Sequence, residues 1–287
     1  MRRLLTLGVL LAVVPPLAAQ KNVFFQEVSW SPDSEWISYT AVATGDPWTS
    51  TIMRMRPNGK DVRPIPHGLL SARWTAWHPE GRRMAFAGEV DGNWEIFVID
   101  LESEAVTRLT HTPADEAAPS WSPDGSQLVF TARANAQSQV FRMNADGSGR
   151  TNLSQNARND WNPAWSPTGD QIVFYSARDT TADHLYLMRS DGSDRRQLTT
   201  GHLRDMFPSW SSDGSRIVFT RQQTETSGVY QMAVTGSVPE EVAAPAFYGR
   251  VSPDGARVAF IRGEWPKSAI YVGKTDDPDF KYKRIRH

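Results

Sequence analysis

The sequence contains no cysteine. This absence excludes disulfide bonds, thiolate metal ligands, a cysteine nucleophile and a lipid-modified N-terminal cysteine. No Gly-x-Ser-x-Gly nucleophile motif occurs, so the sequence gives no sign of a serine hydrolase domain. Beyond the first 19 residues there is also no apolar run of the roughly 20 residues that a membrane-spanning helix needs.

A strong excess of one charge is also missing. The chain has 31 Lys and Arg against 32 Asp and Glu. Without residues 1–19, which carry two arginines and no acid, 29 basic residues face 32 acidic ones and the net charge is −3. Nucleic-acid binding needs a basic surface, so we expect no nucleic-acid partner.

Residues 1–19 have the composition of a secretory signal peptide. Arg2 and Arg3 form the charged start, residues 4–14 the apolar core, and residues 15–19 a region of small residues. An uncleaved membrane anchor is the alternative interpretation. Cleavage would leave residues 20–287, with no membrane span, in the periplasm or outside the cell, and the sequence does not distinguish these two locations.

The rest of the chain is a repeat. A Trp-Ser-Pro-Asp-Gly turn is followed by an apolar strand, and exact or looser copies of this pattern recur along the chain. The intervals between copies are 47, 44, 44, 45 and 41 residues, a period typical of propellers. The copies start at six positions, called the repeat positions below: Trp30, Trp77, Trp121, Trp165, Trp210 and Val251.

Each repeat predicts four strands. Ser-Pro-Asp-Gly suits a type I turn between the first two, and an apolar run such as 128–130 suits a strand covered on both faces. Asp-Gly-Ser, as at 146–148, indicates a second hairpin, and a short strand such as 107–110 ends the unit. We therefore predict an all-β fold, a six-bladed β-propeller with four antiparallel strands per blade.

The propeller is expected to fill residues 20–287 as one domain, with 280–286 as its last outermost strand. The first blade would then close the ring by packing on the sixth. Because such a ring buries its core without help, we expect a monomer.

The Trp-Ser-Pro-Asp-Gly turn, the apolar strand, the Asp-Gly-Ser turn and the closing Leu-Thr together resemble the repeat of the TolB-type β-propeller family. The resemblance covers nearly all of residues 20–287. It implies the fold more closely than the function, because such blades occur in periplasmic TolB proteins, in prolyl-oligopeptidase-type peptidases and in some sugar lyases. Because the first blade starts just after the predicted signal peptide, we expect no counterpart of the N-terminal α/β domain of TolB.

Loops that enter the innermost strands share one face of such a propeller with the loops joining strands two and three. These loops differ between blades, whereas the turns of the opposite face are nearly uniform. Because function usually lies on loops presented by a rigid scaffold, we predict a binding site on the loop side.

Three carboxylates recur in the entry loops, five residues before a repeat position: Glu116, Asp160 and Asp205. Around one mouth they could bind a cation or a basic group of a partner. Alternatively, each could accept backbone N–H bonds in its own turn.

Histidines also fall in these loops. His67 and His111 stand ten residues before a repeat position, and His202 stands eight before one. They are secondary candidates for a divalent metal at the channel mouth, since the resemblance to TolB-like sugar lyases implies a manganese site of similar composition. The chain shows no His-x-His or His-x-x-Glu spacing, so we expect no metal or cofactor.

Aromatic and arginine side chains complete the predicted site, whereas the repeat tryptophans are assigned to packing between blades. Trp, Tyr and Arg are enriched at binding hot spots. The candidates are Trp48, Arg73, Arg158, Arg204, Tyr248, Arg250 and Trp265.

Two functions are compatible with this site. The first is a non-enzymatic propeller of the periplasm or exterior that binds a protein or envelope component through its loops. The alternative is a carbohydrate-active enzyme, a uronate lyase or glycan hydrolase. There His67, His111 or His202 would act as base or metal ligand. Arg204 or Arg250 would hold a uronate carboxylate.

Overall fold

A computed structural model describes residues 23–45, 48–134, 136–178, 182–223, 226–263, 268–275 and 282–284. These residues form six sheets of four antiparallel strands each, and no helix occurs among them. Consequently the described part of the chain offers no helical segment that could cross a membrane. The predicted signal peptide, residues 1–19, lies outside the described ranges.

The strands follow the chain from blade to blade. Blade one contains β1 (Val23–Trp30), β2 (Ile37–Ala43), β3 (Thr49–Met55) and β4 (Arg63–Pro64). Blade two contains β5 (Ala72–Trp77), β6 (Arg83–Val90), β7 (Asn93–Asp100) and β8 (Val106–Arg108). Blade three contains β9 (Glu116–Trp121), β10 (Gln127–Ala134), β11 (Gln137–Asn144) and β12 (Thr151–Asn152).

The second half of the ring repeats the pattern. Blade four contains β13 (Asp160–Trp165), β14 (Gln171–Ser176), β15 (His184–Arg189) and β16 (Arg196–Gln197). Blade five contains β17 (Arg204–Trp210), β18 (Arg216–Gln222), β19 (Ser227–Ala233) and β20 (Glu240–Ala243). Blade six contains β21 (Phe247–Val251), β22 (Arg257–Arg262), β23 (Ala269–Lys274) and β24 (Tyr282–Arg284). The predicted six blades of four strands are confirmed.

The strand register defines two faces. Val23 pairs with Ala43 and Trp30 with Ile37, so the chain enters β1 and leaves β2 at the same end. The loops that enter first strands and those that join second to third strands therefore share one side, the loop face. The turns after first and third strands share the opposite side, the turn face. Both groupings agree with the prediction.

The Ser-Pro-Asp-Gly turn is fixed by its own side chains. In blade three the Ser122 hydroxyl donates to Asp124 Oδ1 over 2.6 Å, and the Ser126 N–H donates to the same oxygen over 3.0 Å. These bonds hold the pKa of Asp124 at about 2. Gly125 has a left-handed φ of 69°, and a Cβ there would lie 2.2 Å from the His78 ring of blade two. Glycine is thus required for both the turn and its contact with the preceding blade.

The core lies between blades. One aromatic side chain of each second strand is fully buried, and all six stand nine residues after a repeat position. Their strands are covered on both faces, as the continuous apolar runs predict. The six residues are Tyr39, Phe86, Phe130, Phe174, Phe219 and Phe260.

The repeat tryptophans link each blade to the one before it. The indole N–H of Trp121 donates to the carbonyl of Ala76 over 3.2 Å, and that of Trp210 to Ala164 over 3.0 Å. Both acceptors lie on the innermost strand of the preceding blade. Trp165 is equally buried, but its indole nitrogen has no hydrogen-bond partner among the described residues.

The ring closes through the same contacts. Trp30 of blade one donates to the carbonyl of Arg250 in blade six over 3.0 Å, and the Arg257 guanidinium donates to the carbonyl of Ser34 over 2.8 Å. Tyr39 and Ile270 belong to one core cluster that spans both blades. Each of these blades keeps its own four strands, so the first blade packs on the sixth as predicted.

We expect Trp121→Phe to destabilise the protein more than Trp165→Phe. Both changes remove similar apolar volume, but only the first leaves a carbonyl without its donor. Urea denaturation should show an additional loss of about 1 to 3 kcal/mol for Trp121→Phe. Equal losses would mean that the indole hydrogen bond does not stabilise the contact between blades.

Candidate functional site

A cavity of about 140 Å³, here called the axial cavity, lies on the propeller axis. The innermost strands of all six blades line it. The contributing residues stand one to three positions before the repeat position of each blade. The wall is therefore built from six structurally equivalent segments, and only their side chains distinguish one side from another.

The residue three positions before each repeat position has the same unusual backbone. All six have a left-handed φ between 47° and 57°, although none is glycine. The register of each innermost strand shifts at this point, which is the mark of a β-bulge. Each such residue lines the axial cavity: Glu27, Trp74, Ala118, Asn162, Phe207 and Tyr248.

The residue directly before each repeat position is small in five blades and arginine in the sixth. The set is Ser29, Ala76, Ser120, Ala164, Ser209 and Arg250. Arg250 Nη1 donates to the carbonyls of Phe207 and Gly249, each over 3.0 Å. Burial lowers the pKa of Arg250 to about 10, so it stays protonated at neutral pH and places one positive charge in the cavity.

Glu27 is the carboxylate of the axial cavity. Its Oε2 accepts from the Trp74 N–H over 2.6 Å and from the Thr40 hydroxyl over 3.3 Å. Burial raises the pKa of Glu27 to about 7, against the opposing effect of these hydrogen bonds and of nearby Arg73 and Arg250. Near neutral pH, Glu27 is thus divided between its charged and neutral forms.

Equivalent N–H groups of other blades bond differently. The Asn162 N–H donates to the Thr131 hydroxyl over 2.9 Å, and the Tyr248 N–H to the Thr220 hydroxyl over 3.0 Å. Each threonine belongs to the preceding blade. Between blades one and two, the carboxylate of Glu27 accepts the Trp74 N–H instead. The equivalent threonine, Thr40, donates to the same carboxylate, and an ionisable group is thereby placed at the axis.

Arg73 lies next to this group, one position nearer the loop face than Trp74. Its guanidinium carbon is 4.3 Å from the ring centroid of Trp74 and 3.8 Å from that of Trp94. Such cation–π stacking fixes a guanidinium in place. Burial lowers the pKa of Arg73, partly offset by Glu27, and its Nε has no hydrogen-bond partner within the described ranges.

The structure therefore brings together three of the predicted site residues, Arg73, Tyr248 and Arg250, around Glu27. Sequence reasoning missed Glu27 and Asn162 because it compared the position five residues before the repeat position. A signal for these residues lies in the sequence at the position three residues before each repeat position. At that position the six blades carry six different residues, although the surrounding motif is nearly uniform.

The three recurring carboxylates lie inside the blades. Each is fully buried and each contacts an arginine of its own blade. The main partner of each carboxylate is thus this arginine, rather than a cation at the mouth or the backbone N–H groups of its entry turn. The pairs are Glu116 with Arg150 at 2.7 Å, Asp160 with Arg178 at 2.9 Å, and Asp205 with Arg221 at 2.7 Å.

Three other predicted residues are exposed on the loop face. Trp48 is 61% exposed and makes an edge-to-face contact with Phe24, with ring centroids 6.4 Å apart. Arg158 is exposed, and Arg204 is half-exposed with its Nε 2.8 Å from Asp183 Oδ2. Trp265 lies outside the described residues.

The candidate histidines have different environments. His67 is buried, accepts the Leu69 N–H at Nδ1 over 3.2 Å, and has its pKa lowered to about 4 by burial. His111 and His202 are exposed. Across the described residues the fold assembles no group of three or more His, Asp or Glu side chains arranged to hold a metal.

The fold and the repeat define the class of protein. The family model of the TolB β-propeller domain matches residues 27–181 and 150–282, and the chain therefore belongs to this family. No curated protein matches the sequence at a significant level.

Solved structures share the fold at low sequence identity. A protein assigned as TolB from Agrobacterium tumefaciens is 21% identical with a TM-score of 0.71, over 88% of this chain and 90% of its own. TolB from Acinetobacter baumannii is 18% identical with a TM-score of 0.72, over 91% of this chain but 63% of its own. An oligogalacturonate lyase in complex with manganese is 12% identical with a TM-score of 0.63, over 93% and 79%. These likenesses show the fold.

Glu27→Gln should raise the free energy of unfolding at high pH only. Because burial raises the folded-state pKa from 4.5 to about 7, ionising Glu27 costs nothing below pH 4.5. The cost grows as pH rises and is complete above about pH 7. The glutamine oxygen can still accept the Trp74 N–H.

At about 1.4 kcal/mol per pKa unit, the expected gain is on the order of 3 kcal/mol at pH 8 and vanishes near pH 4. Urea denaturation of both proteins across this range measures it. A difference that does not change with pH would contradict the buried-carboxyl account.

Asp205→Ala should destabilise strongly, because it leaves the buried Arg221 guanidinium without its carboxylate. The expected loss is about 3 to 5 kcal/mol. Arg216→Ala is the matched control, since its pair with Glu240 is exposed on both sides and its loss should be below about 1 kcal/mol. Similar losses in the two variants would show that burial does not distinguish these pairs.

Proposed function

We propose that this protein is a non-enzymatic propeller of the periplasm or cell exterior that captures a protein or envelope component on its loop face. One observation carries the proposal. Trp48, Arg158 and Arg204 are exposed on the loop face, and among the three only Arg204 has an ion-pair partner in the described residues, Asp183. The turn face instead repeats short turns.

Trp48 is the anchor of the proposed surface. With 61% of its surface exposed, the indole would lose much apolar area to water on binding, which is the property of hot-spot tryptophans. Its edge contact with Phe24 limits its freedom. A side chain that is already held in place loses less entropy when a partner covers it.

Charge supports the same surface. Arg158 offers a guanidinium without an ion-pair partner among the described residues, and Arg204 shares its charge with Asp183. Trp48 lies in blade one, whereas Arg158 and Arg204 lie at the entries of blades four and five, so a partner that contacts all three must span the loop face. Acidic groups of such a partner would meet the two arginines, and this complementarity favours an oriented partner over non-specific attraction.

Family membership and the predicted signal peptide support the location. TolB proteins are periplasmic, and a signal peptide of the predicted type directs export. Since the fold is shared with a lyase, the fold alone does not select between the two functions.

The test is capture of partners from an envelope and periplasmic extract by the immobilised protein. We expect a specific protein to be retained by the parent and lost from a Trp48→Ala/Arg158→Ala/Arg204→Ala variant. Val238→Ser is the matched control, because Val238 is exposed in a turn of the opposite face and should leave capture unchanged. Equal retention by all three proteins would contradict the placement of the surface.

The same preparations test the absence of catalysis. Oligogalacturonate incubated with the protein, with and without added manganese, should give no unsaturated product by ultraviolet absorbance. Product formation by the parent would overturn the proposed function in favour of the carbohydrate-active alternative.

A further inference from the structure

We propose that the axial cavity is a binding site for a carboxylate group, which Arg250 holds by hydrogen bonds and Arg73 attracts by its charge. The site lies among the innermost strands, away from the loop-face surface of Trp48, Arg158 and Arg204. The inference goes beyond the proposed function and does not depend on it.

Arg250 lines the axial cavity and has donors that the fold does not use. A guanidinium carries five N–H donors, and only Nη1 of Arg250 bonds within the described residues, to two backbone carbonyls. Those bonds fix the plane of the guanidinium. The donors on Nε and Nη2 are left for a ligand, and paired donors of this kind match the two oxygens of a carboxylate.

Comparison of Arg250 with the equivalent residues of the other blades indicates that it is not needed for packing. The five equivalent residues are serine or alanine, so the blade structure does not need a long side chain there. Placing arginine in a half-buried cavity desolvates a charge, which is unfavourable unless something compensates it. Two neutral carbonyls and the partly ionised Glu27 supply partial compensation, and an anionic ligand would supply the rest.

The charge around the cavity favours an anion. Arg73 and Arg250 both lie near Glu27, yet neither forms an ion pair within 4 Å with a carboxylate of the described ranges. Within the described residues, the Glu27 carboxyl group accepts hydrogen bonds at Oε2 alone, and these bonds serve the junction of blades one and two. The charge of Arg73 is also balanced in part by Glu89 and Asp115, whereas Glu27 is the one carboxyl group of the described residues that acts on Arg250.

The side chains that line the axial cavity favour one kind of anion over others. Phe207 and Tyr248 pack with ring centroids 4.5 Å apart and line the cavity together with Trp74. These rings leave apolar surface beside Arg250. A volume of about 140 Å³ suits a small group with one charged end. A monocarboxylate with a short apolar body fits both features better than a multiply charged phosphate beside Glu27.

The carboxylate can come from a free small acid or from the end of a peptide. Nuclear magnetic resonance titration of the nitrogen-15-labelled protein separates these sources. The free-acid arm uses sodium acetate against acetamide at matched ionic strength. The peptide arm uses a short peptide with a free C-terminal carboxylate against its amidated form.

Saturable shifts of the Trp74 indole and Arg250 Nε–H resonances are expected with acetate. Acetamide should cause no such shifts. Binding of the free-carboxylate peptide at the same resonances would assign the source to a polypeptide end. Binding of acetate alone would assign it to a small acid. Equal shifts with acetamide, or no saturable shift with any carboxylate, would overturn the proposal.

Variants locate the binding. Arg250→Ser restores the residue found at three equivalent positions, so it should fold, and it should weaken acetate binding at least about tenfold. Arg189→Ser removes an exposed positive charge from the turn face and should leave the affinity unchanged. Glu27→Gln removes the competing carboxyl group and should tighten binding. Unchanged affinity in folded Arg250→Ser would overturn the assignment to Arg250.

Discussion

The contact between neighbouring blades is the interaction on which the whole molecule depends. With no disulfide available, each sheet is held by burying both faces, and the repeat tryptophans of several blades add a hydrogen bond from the indole to the preceding innermost strand. This bond fixes the position of one blade along the propeller axis relative to its neighbour. The turn of Gly125 against His78 adds a second fixed point on the turn face.

Fixing the innermost strands in this way has a consequence at the axis. The bulged residue of each strand keeps its left-handed backbone because the surrounding blade holds it there. Threonine hydroxyls accept its N–H at two junctions, and Glu27 does so at a third. The charged part of the cavity is therefore built into the junctions of blades six, one and two, and the opposite wall carries only small or neutral side chains.

The repeat predicted the blades, the two faces and the closure of the ring, because turn chemistry and apolar runs act locally. The site was less accessible to the same reasoning. Glu116 has the same spacing whether it faces solvent or Arg150, and only the packed structure distinguishes the two environments. Glu27 was missed because its importance comes from a bulge, whose register shift no spacing rule contains. Arg250 could be recognised from sequence, since it replaces a small residue at a repeated position.

The six bulged positions separate architecture from chemistry. Their backbone is supported from outside, so glutamate, tryptophan, alanine, asparagine, phenylalanine and tyrosine all occupy the same conformation. Substitution at any one of these six positions should therefore alter the chemistry of the axial cavity while the ring remains intact. The binding preference of the axis could thus be changed without a change of fold.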